Sequence, residues 1–396
     1  MTMQRMSTFS VPTQIIFGLG SSGQVGLECK RLGISKALIV TDSGVKNAGV
    51  LQEAFASLED NAVPFVLFDQ APPDPDTQVV ANLVDLLKEN MCDGVVTAGG
   101  GSALCTGKAT SLLASNGGNI RDYEGVDKFR NPPLPCIAIP TTAGSGSEVS
   151  KVTIITDEHT KLKMVITGFA NAPKVAILDP LLLKSLPRGQ AVASGVDALT
   201  HAIEAVYSRS ATPLTDAIAL AAMEMMARHF CPAVLGDELE AKGQMLLAST
   251  MANIACGNAS LGLIHAMNLG LTYLYKSRSY VPVPYGLIHA ICLPHVLEFN
   301  LAASETKFAL MAKALGVKEG CGDDRRLAKQ AIEWVKELLI TLDTPRRLPW
   351  QGVSINDLEE VSKIVLAAPM ASQNPRKASE SEVVYLCQRA LEGWSL

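Results

Sequence analysis

The change of rhythm near Pro187 constrains this chain more than any other feature. Before it, short apolar runs alternate with amphipathic stretches; after it, nearly all the periodicity is helical. Residues 37–41, 63–68, 94–98, 136–139 and 175–178 read as buried strands, and three of the runs lead straight into Asp42, Asp69 and Asp179. Helical patterns such as 76–89 and 103–114 lie between them. Strands that alternate with helices predict a mostly parallel sheet covered on both faces. After Ser185-Leu186-Pro187 the patterns at 191–207, 214–229, 239–256, 261–274, 287–299, 305–315, 325–340 and 355–367 all have helical spacing. The expected architecture is therefore an α/β Rossmann-like domain over residues 1–186 and an all-α domain over 187–396.

Bulk properties narrow the function classes. The 396 residues are 48% hydrophobic and 18% charged, with a net charge of −5 and no basic stripe. A nucleic-acid partner is not expected from that balance. The first residues, MTMQRMSTFS, lack the apolar core of a signal peptide, and no uninterrupted apolar run reaches membrane-spanning length. A cytoplasmic protein with no membrane partner is the expectation. Nine cysteines without a C-x-x-C pair point to reduced thiols rather than to disulfides or a cysteine zinc site.

Ligands of parallel sheets bind at the carboxyl ends of the strands, and two polar loops fall there. Gly99-Gly100-Gly101-Ser102 follows one strand and opens a helix. Its backbone allows close approach of a phosphate to the free N–H groups of the helix start, although a plain tight turn reads equally well. Pro140–Glu148 (PTTAGSGSE) follows the next strand with four hydroxyls and two glycines. Together the loops suggest a dinucleotide with its pyrophosphate on the first. Asp42, at an earlier strand end, is placed to accept from a ribose hydroxyl and to repel a 2′-phosphate, which favours NAD(H) over NADP(H).

In the second half, Asp197 and His201 are four residues apart within GVDALTHAIEA. On a helix they share a face, as a metal-ligand pair would, or as an ordinary hydrogen-bonded pair would. Only six histidines exist: His159, His201, His229, His265, His289 and His295. His159, His229 and His295 read as ordinary core or surface residues.

The ordered set GGGS at 99–102, PTTAGSGSE at 140–148, GVDALTHAIEA at 195–205, SLGLIHAM at 260–267, LPHVLEFN at 293–300 and NPR at 374–376 resembles the iron-containing (group III) alcohol dehydrogenase family over nearly the whole chain. The resemblance implies a nicotinamide cofactor between the two domains and an NAD(P)-dependent interconversion of a primary alcohol and its aldehyde, with small-molecule substrates and a homo-oligomer. It implies a divalent metal, iron before zinc, held by one Asp and three His, of which Asp197, His201 and His265 match the first three. It further implies cofactor contacts at Asp42, Asp74, Gly100, Gly101, Ser102, Thr141, Thr142, Ser150, Val152, Lys163 and Leu182.

Four positions depart from the family pattern. Counting back from Leu293-Pro294, the fourth ligand falls on Tyr285, and the Asn one turn later falls on His289. A family histidine credited with proton relay falls on Leu269, and the Asp after GGGS falls on Cys105. Tyr is a poor ligand for a divalent ion at neutral pH. His289, one turn along the same helix face, is slightly favoured as the fourth ligand, with a three-ligand or empty site, or a Tyr285 hydroxyl in the cleft, as alternatives. The insertion-like KSRSY at 276–280 offers a means of shifting that helix. Beyond the metal site no catalytic residue is assigned. The rival readings are a nucleotide-binding relative that has lost metal-dependent turnover, and a metal-independent reductase.

Overall fold

The computed structural model describes residues 6–317 and 323–395. The chain divides into two compact units, one spanning 11–187 and the other 188–396 together with the segment up to Ser10. Residues 6–10 thus group with the helical unit, whereas the sequence reading keeps them with the α/β unit. Ser10 is tied to the helical unit instead: its N–H donates to Asn258 Oδ1 at 2.8 Å, and Asn258 Nδ2 donates to the Ser10 carbonyl at 3.1 Å.

The α/β unit contains β1 (Gln14–Phe17), α1 (Val25–Arg31), β2 (Ala37–Val40), α2 (Ser43–Asn47), α3 (Gln52–Asp60), β3 (Phe65–Phe68), α4 (Thr77–Glu89), β4 (Gly94–Gly99), α5 (Gly101–Asn116), β5 (Gly125–Val126), β6 (Cys136–Pro140), β7 (Val152–Thr156), β8 (Lys163–Thr167) and β9 (Val175–Leu178). Six strands form a wholly parallel sheet in the order β1-β9-β6-β4-β2-β3. Strands β2, β4, β6 and β9 are buried at every position, which is why they read as unbroken apolar runs rather than as alternations. Leu38, Val40, Leu83, Val95 and Ala103 form one core cluster, and Val84, Leu112, Ile120, Ile155 and Ile166 belong to another.

From β2 the chain steps outward to β3, then returns to lay β4 on the other side of β2. The direction of winding reverses there, so the crevice lies at the carboxyl ends of β2 and β4. A second sheet, β5-β8-β7, was not expected from the sequence. Its antiparallel β7–β8 pair alternates buried and half-buried positions around the polar turn at 157–162. Their sequences, VTIIT and KMVIT, do not alternate strictly between apolar and polar residues, and each is only five residues long.

The helical unit comprises α6 (Arg188–Tyr207), α7 (Pro213–Leu235), α8 (Leu239–Ala259), α9 (Leu263–Arg278), α10 (Tyr285–Asn300), α11 (Glu305–Ala314), α12 (Asp324–Thr341), α13 (Ile355–Ala367) and α14 (Glu380–Glu392), the last not foreseen. Thr212 caps α7 ahead of Pro213, and Ser354 and Ser379 start α13 and α14 through reciprocal bonds with Asp357 and Glu382. Residues 213–235 and 285–303 are long and apolar enough to cross a membrane by length and composition. In the fold α10 is largely buried, packed against α6 and α9. The KSRSY stretch forms the last turn of α9, its left-handed cap at Ser279 (φ 56°) and Tyr280, which stacks on Trp350 with ring centres 5.7 Å apart.

Candidate metal centre and nucleotide loops

Helix α6 is nearly all buried from Gly195 to Tyr207, so its polar residues face other helices rather than water. Asp197, His201 and Glu204 follow one another at i, i+4 and i+7 along one face. The start of α9 lies against this face and contributes His265. Potential ligand atoms of Asp197, His201 and His265 all lie within 4.8 Å of one another, and all three residues are buried. His265 Nε2 is 3.6 Å and His201 Nε2 3.9 Å from Asp197 Oδ1. The His201 and His265 rings stack with centres 4.6 Å apart.

Each ring is held from its far edge. His265 Nδ1 donates to Glu204 Oε2 at 2.6 Å. Glu204 is fully buried and accepts three more bonds, from the N–H of Gly262 (2.9 Å) and Ile264 (2.8 Å) and from the Tyr207 hydroxyl (3.1 Å). A carboxylate on the far nitrogen fixes the ring's tautomer and aims the other nitrogen's lone pair inward. For His201 the neighbour at Nδ1 is the Asn253 amide, 3.4 Å away. The sequence reading assigns Glu204 no role. A charged residue on the same helix face as a candidate ligand pair is the signal that would have found it.

The charges are mutually consistent. Burial alone would push the Asp197 carboxyl up, but the imidazoles of His201, His265 and His289 outweigh it and hold the group well below its ordinary value. Burial pushes His201 down to about 4. It works against charge on His265 too, yet Glu204 and Asp197 overcome it and raise that ring to about 9. His289 is lowered by burial and by the facing His265.

This donor set suits a divalent ion. Four of the eleven buried side-chain polar atoms without a hydrogen bond among the described residues sit here: Asp197 Oδ1, His265 Nε2 and both nitrogens of His289. Each such atom costs about 1–3 kcal/mol unless something pairs with it. One carboxylate and several imidazoles are ligands of a borderline transition metal rather than of calcium or magnesium. Tyr285 opens α10, half-buried, with its ring edge-on to His289 at 4.9 Å and 6.5 Å from His265. Leu269 is half-buried one turn beyond His265.

The predicted nucleotide residues all fall in the α/β unit, and several meet. Asp42 caps α2 through Val45 N–H at 2.9 Å. A side chain on Gly99, whose φ is +148°, would come within 3.1 Å of Asp42 Oδ2, so the end of β2 and the GGGS loop are adjacent. Gly100 is the N-cap of α5 and lends it no side-chain bond, so the first N–H groups of that helix face outward from Gly101 and Ser102. Thr141 N–H donates to the Gly99 carbonyl at 3.0 Å, which ties the two loops together; Thr142 follows it. Asp74 N–H donates to Ser102 Oγ at 3.3 Å, and Lys163 Nζ lies 3.0 Å from Asp74 Oδ1. Ser150 Oγ accepts from Val152 N–H at 3.1 Å. Leu182 is buried in the turn after β9.

One residue behind these loops was overlooked. Lys108 on α5 is only 1% exposed, and its Nζ donates to the carbonyls of Ser147 (3.1 Å), Ser150 (2.7 Å) and Val152 (2.7 Å). It pins the second loop from beneath. Cys105, one turn earlier, has its Sγ 3.5 Å from Ser147 Oγ.

Comparison with known proteins agrees with both units. Residues 12–180 match the profile described as iron-containing alcohol dehydrogenase, and 191–391 match that of the Fe-containing alcohol dehydrogenase family, C-terminal. The chain is 36% identical to the NAD-dependent methanol dehydrogenase of Bacillus methanolicus over 388 residues, covering 98% of this chain and 100% of that protein. It is 36% identical to the 1,3-propanediol dehydrogenase of Citrobacter freundii over 389 residues, covering 98% and 99%. Among solved structures, a 1,3-propanediol oxidoreductase superposes with a TM-score of 0.93 at 36% identity, covering 98% of this chain and 100% of the other. Two profiles that together span most of the chain, and relatives alike over their full length, leave one assignment: the protein belongs to the iron-containing alcohol dehydrogenase family.

Proposed function

We propose that this protein interconverts a small primary alcohol and its aldehyde with NAD(H), using a divalent metal, iron before zinc, held by Asp197, His201 and His265. The observation that carries the reading is the set of buried, unpaired donor atoms converging beside Asp197. When bound, the ion acts as a Lewis acid toward the alcohol or carbonyl oxygen and the nicotinamide carries the hydride. Glu204 holds the Nδ1 proton of His265 and so keeps Nε2 facing Asp197. Asp197, His201 and His265 are themselves buried, which limits the access of bulk water to the ligands. Leu269 offers no exchangeable proton, so proton transfer runs through water, ribose hydroxyls or another side chain.

For the cofactor, the N–H groups opening α5 suit a pyrophosphate. The Asp42 carboxylate beside them disfavours a 2′-phosphate. The Lys163–Asp74 pair supplies charged groups beside Ser102. The substrates in the relatives' names, methanol and 1,3-propanediol, support small alcohols as the class. The test is NADH and NADPH oxidation by the purified protein across straight-chain aldehydes, before and after metal stripping and Fe²⁺ reloading. Loss on stripping with recovery on reloading is expected, along with a preference for NADH that Asp42→Gly relaxes. Unchanged turnover by stripped protein would mean a metal-independent reductase. No turnover with any aldehyde, despite bound metal and nucleotide, would favour a relative that binds without catalysis.

A further inference from the structure

We propose that His289, through Nδ1, is a fourth protein ligand of the metal site. The inference rests on the metal reading above and adds a residue to it. His289 Nδ1 stands 3.0 Å from Asp197 Oδ1, nearer than either His201 or His265 Nε2. Its ring centre is 4.3 Å from that of His265. The ring is fully buried, and neither of its nitrogens has a hydrogen bond. An ordinary core histidine satisfies at least one nitrogen, because an unmet buried polar atom costs about 1–3 kcal/mol. Here both are unmet, and one is turned onto the carboxylate of the ligand cluster.

Helix packing explains why His289 reaches the cluster. Gly286 lets α10 approach α6 so closely that a Cβ at that position would lie 1.8 Å from the Ala193 carbonyl oxygen. Three residues along α10 is His289, and four residues along α6 is Asp197, so the contact one turn further on joins these two side chains. Asn268 secures the same approach from α9: its Nδ2 donates to the Tyr285 carbonyl at 2.8 Å, at the first residue of α10. Tyr285 itself is left at the helix opening, half-buried, and its ring packs edge-on against His289. In this chain the helix opening therefore carries a phenol, and the imidazole sits one turn deeper.

The test is Co²⁺ binding to the metal-stripped full-length protein, followed by visible d–d absorption, with X-ray absorption on the loaded sample. His289→Asn keeps a polar side chain of smaller size and is the main variant; His265→Ala is the control ligand loss, and Tyr285→Phe removes the phenol. Removing a group that supports a ligand costs ~10–100-fold in metal affinity, so removing a ligand should cost at least ~100-fold. His289→Asn is expected to weaken Co²⁺ by that amount and to alter the spectrum, as His265→Ala does, while Tyr285→Phe changes neither. Unmutated protein should show three imidazoles around the ion, a count that does not depend on any variant folding. Two imidazoles, or His289→Asn binding with parental affinity while His265→Ala loses the ion, would overturn the proposal and leave the metal reading standing. Loss in Tyr285→Phe equal to that in His265→Ala would assign the ligand to the phenol and overturn it equally. No Co²⁺ uptake by the unmutated protein would overturn the metal reading itself.

Discussion

The pocket on α6, α9 and α10 and the loops at the ends of β2, β4 and β6 carry chemistry in opposite ways. The pocket is made of side chains, and what marks it is what remains unpaired: Asp197 Oδ1, His265 Nε2 and both His289 nitrogens are buried with no hydrogen bond. The loops are mostly backbone, and their polar side chains are engaged with each other. Asp42 caps α2, Asp74 meets Lys163 and Ser102, and Lys108 grips three carbonyls. A metal site needs donors held ready at a cost to stability, whereas a phosphate loop needs a shape, and the shape can be fully satisfied before any ligand arrives. Perturbing one region should therefore change metal binding and leave nucleotide binding intact, and the reverse.

Glu204→Gln is expected to break the pocket most severely. Four donors converge on this buried carboxylate, and an amide must turn its NH₂ toward one or two of them. Co²⁺ affinity should fall ~10–100-fold, and stability should fall by about 3–5 kcal/mol, the scale of breaking a buried charge pair. NADH binding should be unaffected; a parallel loss there would end the separation of the two regions. Lys108→Met is the counterpart in the loops. Three carbonyls lose their donor, for about 2–4 kcal/mol of stability once water recovers some of them. NADH should bind more weakly while Co²⁺ affinity stays at the parental value, which titration calorimetry would measure.

Gly286→Ala asks whether helix approach sets the pocket. The added methyl meets the Ala193 carbonyl, so α10 must shift, at about 1–3 kcal/mol by urea denaturation. Co²⁺ should weaken along with it, and a destabilised variant with parental Co²⁺ affinity would show that the close approach serves packing alone. The smallest effect concerns the edge of the α/β unit. Arg121, bonded to Asp157 at 2.7 Å, lowers that carboxyl from an ordinary 3.8 to about 2. A lowered folded-state value contributes stability above the unfolded value and loses it as pH falls through the folded one. Asp157→Asn should therefore cost about 1 kcal/mol or less above pH ~4, given the pair's partial exposure, and converge with the parent near pH ~2. Equal acid unfolding profiles over that window would show that the pair contributes nothing.

Local pattern alone was enough to place five of the six strands of the parallel sheet and eight of the nine described helices of the second unit, because buried strands read as short apolar runs and amphipathic helices repeat every three to four residues. It was also enough to pair Asp197 with His201, since i, i+4 spacing puts two side chains on one helix face whatever surrounds them. Tertiary structure decided the rest. Glu204 reaches His265 across 61 residues of chain, and Lys108 reaches Ser147, Ser150 and Val152 across 39 to 44. His289 meets Asp197 because a glycine permits two helices to touch at Ala193. None of these contacts has a period to read. Each depends on which helix faces meet and how closely, and that is set by packing between segments distant in the chain, which local spacing does not encode.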